Sequence, residues 1–192
     1  MQKFLIIISI FLCAACTMPE TRIYSLSLPV ERKLSGNTSG ASANVLVRSP
    51  RYLSQHYVAC RTSPYQLDIS KYSKWDSPPD ELVRDAFREV FYSKGVFREV
   101  KTANFIPAGY YSVDIKLRRF ERTDSGEGSF GEIDFDVLLV SPDGKELYRH
   151  TVSKKIRLES RNNLELAKAL SSALSEGVVE AVSGIAGVMN RP

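Results

Sequence analysis

Two histidines are the side chains in this sequence whose type is best suited to acid or base catalysis near neutral pH. His56 and His150 each lie within a strand-like pattern, and neither has a cysteine or a second histidine close by in the chain. A zinc site or a nucleophile activated by histidine needs several such groups together. A hydrolase would therefore require one of these histidines to meet an acid and a nucleophile brought from elsewhere into one cleft.

Two aspartates form the second candidate for chemistry. Asp134 and Asp136 are two residues apart, so on a strand they share one face and could bind a cation. A divalent site needs more than two converging oxygens, whereas Lys116 and Arg118 on a neighbouring predicted strand are natural ion-pair partners. We therefore interpret the aspartates as surface ion pairs and expect no metal.

Sequence motifs that mark known kinds of active site are missing. The chain contains no HExxH, no GxSxG and no glycine loop with the lysine that holds a phosphate. Gly126, Gly128 and Gly131 follow a predicted strand without opening a helix, which is typical of a loop. We predict a protein that is not an enzyme and has no cofactor.

Length and composition fit a single globular domain with an N-terminal extension. The chain has 192 residues, of which 43% are hydrophobic and 25% are charged. Its 26 Lys and Arg exceed its 22 Asp and Glu for a net charge of +4, and the basic residues are scattered. A nucleic-acid-binding face would concentrate them, so no nucleic-acid partner is predicted.

The first 15 residues are predicted to be a signal peptide. Lys3 provides the positive start, and the apolar run over residues 4–12 is too short to span a bilayer. Ala14 and Ala15 before Cys16 resemble the lipobox of bacterial lipoproteins, although Cys13 occupies the position where leucine is usual. The resemblance implies lipidation of Cys16, a tether over residues 16–21 and a single domain over residues 22–190. The alternative is a plain secretory peptide cut nearby.

The resemblance to a lipobox also implies a location in the cell envelope. Acyl chains on Cys16 would hold the protein to a membrane, and Thr17, in place of an inner-membrane-retaining aspartate, implies the periplasmic face of the outer membrane. Cys60 is then left without a disulfide partner, and we expect it to be a buried residue of a strand.

Hydrophobic periodicity predicts an α+β fold: a largely antiparallel sheet with two long helices packed on one face, an αβ sandwich. Three long strands with alternating side chains should be consecutive antiparallel neighbours, separated by a long loop at 121–131 and a tight turn at 141–144. Shorter strands precede them, with a polar, flexible loop at 31–44. The strands are predicted at 22–28, 45–47, 57–60, 65–69, 96–100, 111–118, 132–139 and 145–158.

Two amphipathic helices complete the pattern. The first is predicted to begin near Pro79, directly after Trp75 and Pro78, which we interpret as structural anchors, and to close at Gly95. The second covers residues 164–188 behind an asparagine cap and has a seam of small residues. Packing on the sheet is the simplest role for that seam, with an oligomer contact or a membrane surface as alternatives.

The succession of these segments resembles the ABC-type transport auxiliary lipoproteins, the family that includes paraquat-inducible protein C. The match covers nearly the whole chain, although Lys74 and Ser77 stand where the family often has arginine and an acidic residue. The residues that carry the resemblance are Cys16, Ile23–Leu26, Pro50–Leu53, Tyr57–Arg61 and Lys74–Pro78.

The resemblance implies a non-catalytic accessory subunit of a lipid transport system. Its partner would be an MCE-domain protein of an ABC-type transporter, on whose far end the αβ domain would dock, and several copies could form a homo-oligomeric ring. The rival is a structural or assembly lipoprotein of another envelope complex, such as one for secretion or lipopolysaccharide export. Neither reading depends on an active site.

One stretch is our candidate for the partner contact. Pro50, Arg51, Tyr52 and Leu53 follow a predicted strand, and a loop that presents tyrosine and leucine would have an exposed apolar tip. The alternative is that the tyrosine and the leucine close the core. Structure distinguishes these two interpretations by the exposure of each side chain.

Overall fold

A computed structural model describes residues 19–28 and 39–190 of the chain. The predicted signal peptide, Cys13, the predicted lipidation site Cys16 and most of the predicted loop at 31–44 lie outside the described residues. The elements in chain order are β1 (Arg22–Tyr24), β2 (Ser39–Arg48), a 3₁₀ helix (Arg51–Ser54), β3 (Tyr57–Ser63), β4 (Gln66–Trp75), α1 (Pro79–Lys94), β5 (Phe97–Lys101), β6 (Tyr111–Ser125), β7 (Gly128–Val140), β8 (Glu146–Arg157) and α2 (Asn163–Met189).

The eight described strands form one mixed sheet, which confirms the α+β class. The strand order along the sheet is β1-β4-β3-β6-β2-β5, in which β2 and β3 pair with different parts of β6. The other edge of β6 pairs with β7, and β7 pairs with β8. The antiparallel series β6-β7-β8 is the one predicted from the alternation, and its two ladders are the longest. The parallel pairing of β6 with both β2 and β3 was not predicted, because strand order leaves no trace in periodicity.

Helix α1 begins and ends where its sequence predicts. The backbone of Pro78 is extended, and Pro79 is the first helical residue. Negative charge in the first turn comes from Asp80 and Glu81. Gly95 closes the helix with a left-handed φ of 59°, and its N–H bonds back to the last carbonyls. The apolar face of α1 is buried in the core.

Helix α2 packs across β7 and β8, as the small residues of its seam predict. Asn162 caps it by accepting a 2.8 Å hydrogen bond from the N–H of Glu165. A Cβ on Gly177 would lie 2.7 Å from Val152 Cγ1, so glycine is what allows the close approach. Among the described residues α2 is the one helix long and apolar enough to cross a membrane, but here its apolar face covers the sheet.

The prediction of a long loop at 121–131 is wrong. Strand β6 continues to Ser125 and β7 begins at Gly128, so two residues form the turn. Gly131 lies within the sheet, where a Cβ would approach Ala169 Cβ to 3.0 Å. Its lack of a side chain makes room for α2 and does not mark a loop.

Two other boundaries differ from the predictions at the start of the domain. Residues 39–44 belong to β2, where they pair in parallel with β5, and the buried Asn44 uses its amide to bond the backbone of Ala103 in both directions, at 3.0 and 2.9 Å. Strand β1 ends at Tyr24, and the chain then leaves the sheet toward α2, where Ser27 N–H donates to Ser171 Oγ at 3.1 Å. In both places a polar side chain satisfies backbone groups in the fold.

Candidate partner-binding surface

The predicted contact stretch Pro50–Leu53 folds around the 3₁₀ helix. Pro50 fixes the entry, and its carbonyl accepts the N–H of Leu53 at 2.9 Å. Leu53 is 1% exposed and belongs to the core, whereas Pro50 and Arg51 are exposed. The expected exposed leucine is therefore absent from this tip, because burying Leu53 is what attaches the short helix to the domain.

Tyr52 attaches the same helix to the sheet through a buried carboxylate. Its hydroxyl donates to Glu121 Oε2 at 2.9 Å, and Arg61 Nε donates to Glu121 Oε1 at 2.5 Å. The carboxylate of Glu121 is fully buried, so both its partners are needed to offset its desolvation. Burial, with the Glu121 charge second, raises the pKa of Tyr52 well above its usual range. The tyrosine thus stays a protonated donor.

The opposite side of the 3₁₀ helix is attached to α1. The hydroxyls of Ser49 and Ser54 donate to Asp80 Oδ2 at 3.2 and 2.7 Å, and Asp80 lies in the first turn of α1. The short helix is therefore held by the core, by the sheet and by α1. Arg51 projects from this braced support without an ion-pair partner among the described residues.

The exposed surface continues from the 3₁₀ helix into β3. Ser54, Gln55, His56 and Tyr57 are all exposed, and the imidazole of His56 lies 3.1 Å from the carbonyl of Trp75. We name as the end surface the exposed residues Pro50, Arg51, Ser54, Gln55 and His56. Tyr57, the next exposed residue, was predicted only as part of an apolar run. Its exposure follows from the alternation along β3, in which the neighbouring Val58 is the residue that faces the core.

Trp75 and Pro78 lie behind this surface. Trp75 is 2% exposed, and its indole meets the rings of Tyr24 and Phe120 edge to face at centroid distances of 6.4 and 5.6 Å. Pro78 immediately precedes α1. Trp75 is therefore a buried packing residue at the end of β4, and the half-buried Pro78 is the N-cap of α1.

The residues considered for catalysis do not converge. His150 Nε2 is 2.6 Å from Glu180 on α2, while His56 contacts the backbone beside Trp75. Asp134 and Asp136 both bind Arg118, at 2.5 and 2.6 Å, which is the ion pairing expected from the sequence. Within residues 19–28 and 39–190, no three His, Cys, Asp or Glu side chains lie together as a metal would need.

Cys60 is half-buried in β3. Its Sγ lies 3.5 Å from Asp124 Oδ2, and burial raises the pKa of the thiol. A thiol that stays protonated is a poor nucleophile. This position therefore suits a structural residue of the strand.

Several large apolar side chains are exposed that sequence reasoning did not single out. They lie at the turn of the β3-β4 hairpin, on β1, and in the connection between β5 and β6. A signal was present for the last group, because Phe105 and Ile106 stand beside the turn residues Pro107 and Gly109. The most exposed are Tyr65 (99%), Phe105 (70%) and Ile23 (68%).

Solved structures resemble this fold closely at low sequence identity. A DUF330 family protein from Xanthomonas campestris matches with a TM-score of 0.71 at 20% identity, over 86% of this chain and 96% of that one. A second structure, described as an uncharacterized protein, has a TM-score of 0.68 at 18% identity, over 87% and 99%. A hypothetical protein from Chlamydia trachomatis has 0.51 at 11%, over 78% and 99%. At these identities the likeness shows the fold alone.

The family assignment comes from the sequence itself. No curated protein matches the chain. The family model described as the ABC-type transport auxiliary lipoprotein component matches residues 24–182, which span β1 to most of α2 and include the braced 3₁₀ helix. The chain therefore belongs to the ABC-type transport auxiliary lipoprotein family.

Proposed function

We propose that this protein is a lipoprotein anchored to the periplasmic face of the outer membrane, where it serves as a non-catalytic accessory subunit of an MCE/ABC-type lipid transport system. The observation that carries the proposal is the family match over residues 24–182, since the family is described as an auxiliary component of transport. An auxiliary component acts by binding the transporter, so the relevant site is a surface rather than a cleft.

The end surface is the part of the domain that suits docking on the MCE component. Exposed residues held by rigid supports lose little conformational entropy on binding, which favours affinity. Arg51, a type of residue enriched at binding hot spots, projects from a helix fixed by Glu121 and Asp80. Pro50 and Arg51 are the residues of the predicted contact stretch that remain available for this role.

The anchor would keep the domain at its partner. Acyl chains on Cys16 would hold the protein in the membrane, and residues 16–21 would set its reach. Confinement to one membrane raises the effective concentration of the domain near a partner in the same envelope. A ring of several copies would multiply that effect.

The proposal is tested by crosslinking the lipidated protein in envelopes and identifying the proteins that co-purify by mass spectrometry. The wild type is compared with Cys16→Ala, which removes the anchor, and with Arg51→Glu, which reverses the charge of the end surface. Arg149→Glu is the matched control, since it also reverses an exposed arginine but lies on the far strand β8.

The expected result is recovery of an MCE-domain protein with the wild type and with the Arg149→Glu control. Recovery should fall with Cys16→Ala and with Arg51→Glu. Recovery of secretion or lipopolysaccharide-export components in its place would overturn the proposal in favour of a structural lipoprotein. An equal recovery of the MCE-domain protein with Arg51→Glu and with Arg149→Glu would show that the end surface is not the docking site.

A further inference from the structure

A row of three side chains crosses the sheet at the point where the described chain begins. Ile23 on β1 pairs with Lys74 on β4, and Lys74 pairs in turn with Tyr57 on β3. Residues paired in register share a face of the sheet. The neighbouring pair, Tyr24 and Trp75, faces the core, so this row points away from the helices. We call Ile23, Lys74 and Tyr57 the tether row.

The tether row combines exposed apolar groups with a cation. Ile23 is 68% exposed and Tyr57 is 38% exposed, and the ammonium of Lys74 lies 5.9 Å from the centre of the Tyr57 ring. An isoleucine that is exposed on a strand contributes little to folding. The row thus has the composition of an interfacial surface, in which apolar and aromatic groups enter the bilayer boundary and a cation meets phosphate.

The charge of the row itself favours an anionic surface. Arg22, which is also exposed, pairs with Ser73 and alternates to the other face of β1, so Lys74 is the cation that the row presents. Ile23 and Tyr57 carry no charge, so no acid within the row opposes Lys74. Lys74 is therefore the group of the row that would meet lipid phosphate.

The length of chain before the row limits its distance from the membrane. Cys16 is six residues before Arg22. At no more than about 3.6 Å per residue, this segment reaches roughly 22 Å at most. Wherever the acyl chains enter the bilayer, the tether row begins within that distance of it.

We propose that the tether row docks on the phospholipid surface in which the protein is anchored and so orients the domain with its helices away from the bilayer. This inference rests on the proposed anchoring through Cys16. The occupant is a bilayer containing anionic phospholipid. Docking would give the anchored domain a defined orientation at the bilayer.

The test uses the lipidated full-length protein in vesicles of phosphatidylethanolamine and phosphatidylglycerol. A fluorescent label is placed at Ile23→Cys or, as a control, at Val179→Cys on the exposed side of α2, both in a Cys60→Ser background. Brominated lipids in the vesicles quench labels that reach the bilayer. Because interfacial side chains enter by roughly 5–10 Å, quenching at position 23 should exceed that at position 179 about twofold or more.

A charge reversal sharpens the result. Lys74→Glu should lower the quenching at position 23, whereas Lys116→Glu, an exposed lysine on β6, should leave it unchanged. Equal quenching at positions 23 and 179 in protein that floats with the vesicles would overturn the inference and leave the anchor intact. Protein that does not float with the vesicles would overturn both. Protection of position 23 only when an MCE-domain protein is added would assign the row to that partner.

Discussion

The two faces of the sheet differ in how they are closed, and β7 shows the difference along one strand. Ile133, Phe135, Val137 and Leu139 point toward the helices and are fully buried. The alternating residues point to the open face, where Asp134 and Asp136 bind Arg118, and Glu132 binds Arg119 at 2.6 Å. One face is covered by α1 and α2, and the other presents ion pairs with half-buried apolar residues such as Leu138 between them.

This difference indicates which face of the sheet stabilises the fold and which face is available to bind a partner. Burial of large apolar side chains stabilises by about 1.5–3 kcal/mol each, whereas an exposed ion pair contributes about 0–1 kcal/mol. The open face can therefore change its charges at low cost to folding. Surfaces that meet a partner or a membrane are expected there and at the ends of the strands.

The largest predicted effect separates two neighbouring residues of β7. Phe135→Ala should lower the free energy of unfolding by about 3–5 kcal/mol, because the ring is fully buried and packs edge to face on Phe87 at 5.7 Å. Asp136→Asn, on the open face, should cost less than about 1 kcal/mol. Urea unfolding of both variants measures the contrast, and similar losses would contradict it.

A smaller but substantial effect is expected at the buried carboxylate of Glu121, which holds the 3₁₀ helix through Tyr52. Glu121→Gln should lower the free energy of unfolding by about 2–3 kcal/mol, since Arg61 and Tyr52 lose the charged acceptor they share. Glu132→Gln is the matched control on the same strand pair, with its carboxylate near the surface. Calorimetry should show the greater fall in Tm for Glu121→Gln. A greater fall for Glu132→Gln would contradict the role of Glu121 in holding the 3₁₀ helix.

The glycines of α2 test how tightly the covered face is packed. Gly177→Ala should cost about 1–3 kcal/mol, because the new methyl group meets Val152 and Phe135 in the core. Gly184→Ala meets the hydroxyl end of Tyr148, a half-buried side chain that can move aside. The loss in free energy of unfolding, measured by chemical denaturation, should therefore be smaller for Gly184→Ala than for Gly177→Ala. Equal losses would mean that α2 shifts as a whole.

The smallest effect concerns pH. The pKa of Tyr52 is raised in the fold above its ordinary value of 10.0, so its contribution is fully present below that pH and is lost as the pH rises beyond it. The stability difference between wild type and Tyr52→Phe should therefore stay constant up to about pH 9 and shrink as the pH rises above about 10. Tyr65→Phe, at a 99% exposed ring, is the control. A difference that does not change with pH would contradict the buried contact to Glu121.

Much of this architecture follows from local patterns in the sequence. The asparagine cap, the proline entry to α1 and the alternation of β6, β7 and β8 are encoded by neighbouring residues, and they were predicted correctly. Gly131 misled the prediction because a glycine chosen for its contact with Ala169 looks the same in sequence as a loop glycine. Asn44 was misjudged for a similar reason, since its partner Ala103 is distant in the chain. For Leu53 the sequence left both an exposed and a buried position open, and the structure has it buried.

The surfaces could be predicted less completely than the fold. Arg51 was found because it follows a strand end, but the tether row depends on the parallel pairing of β1 with β4 and on the bulged register between β3 and β4. Periodicity cannot supply such long-range pairings. Exposure at Ile23 therefore became visible only once the strands were placed.

Site-specific photo-crosslinking in envelopes tests the central claim that the end surface meets the transporter. A photoreactive amino acid replaces Arg51 in one strain and Val179, on the exposed side of α2, in another. The account predicts a crosslink to an MCE-domain protein from position 51 and none from position 179. Crosslinks from position 179 alone, or from position 51 only to proteins of another envelope complex, would contradict it.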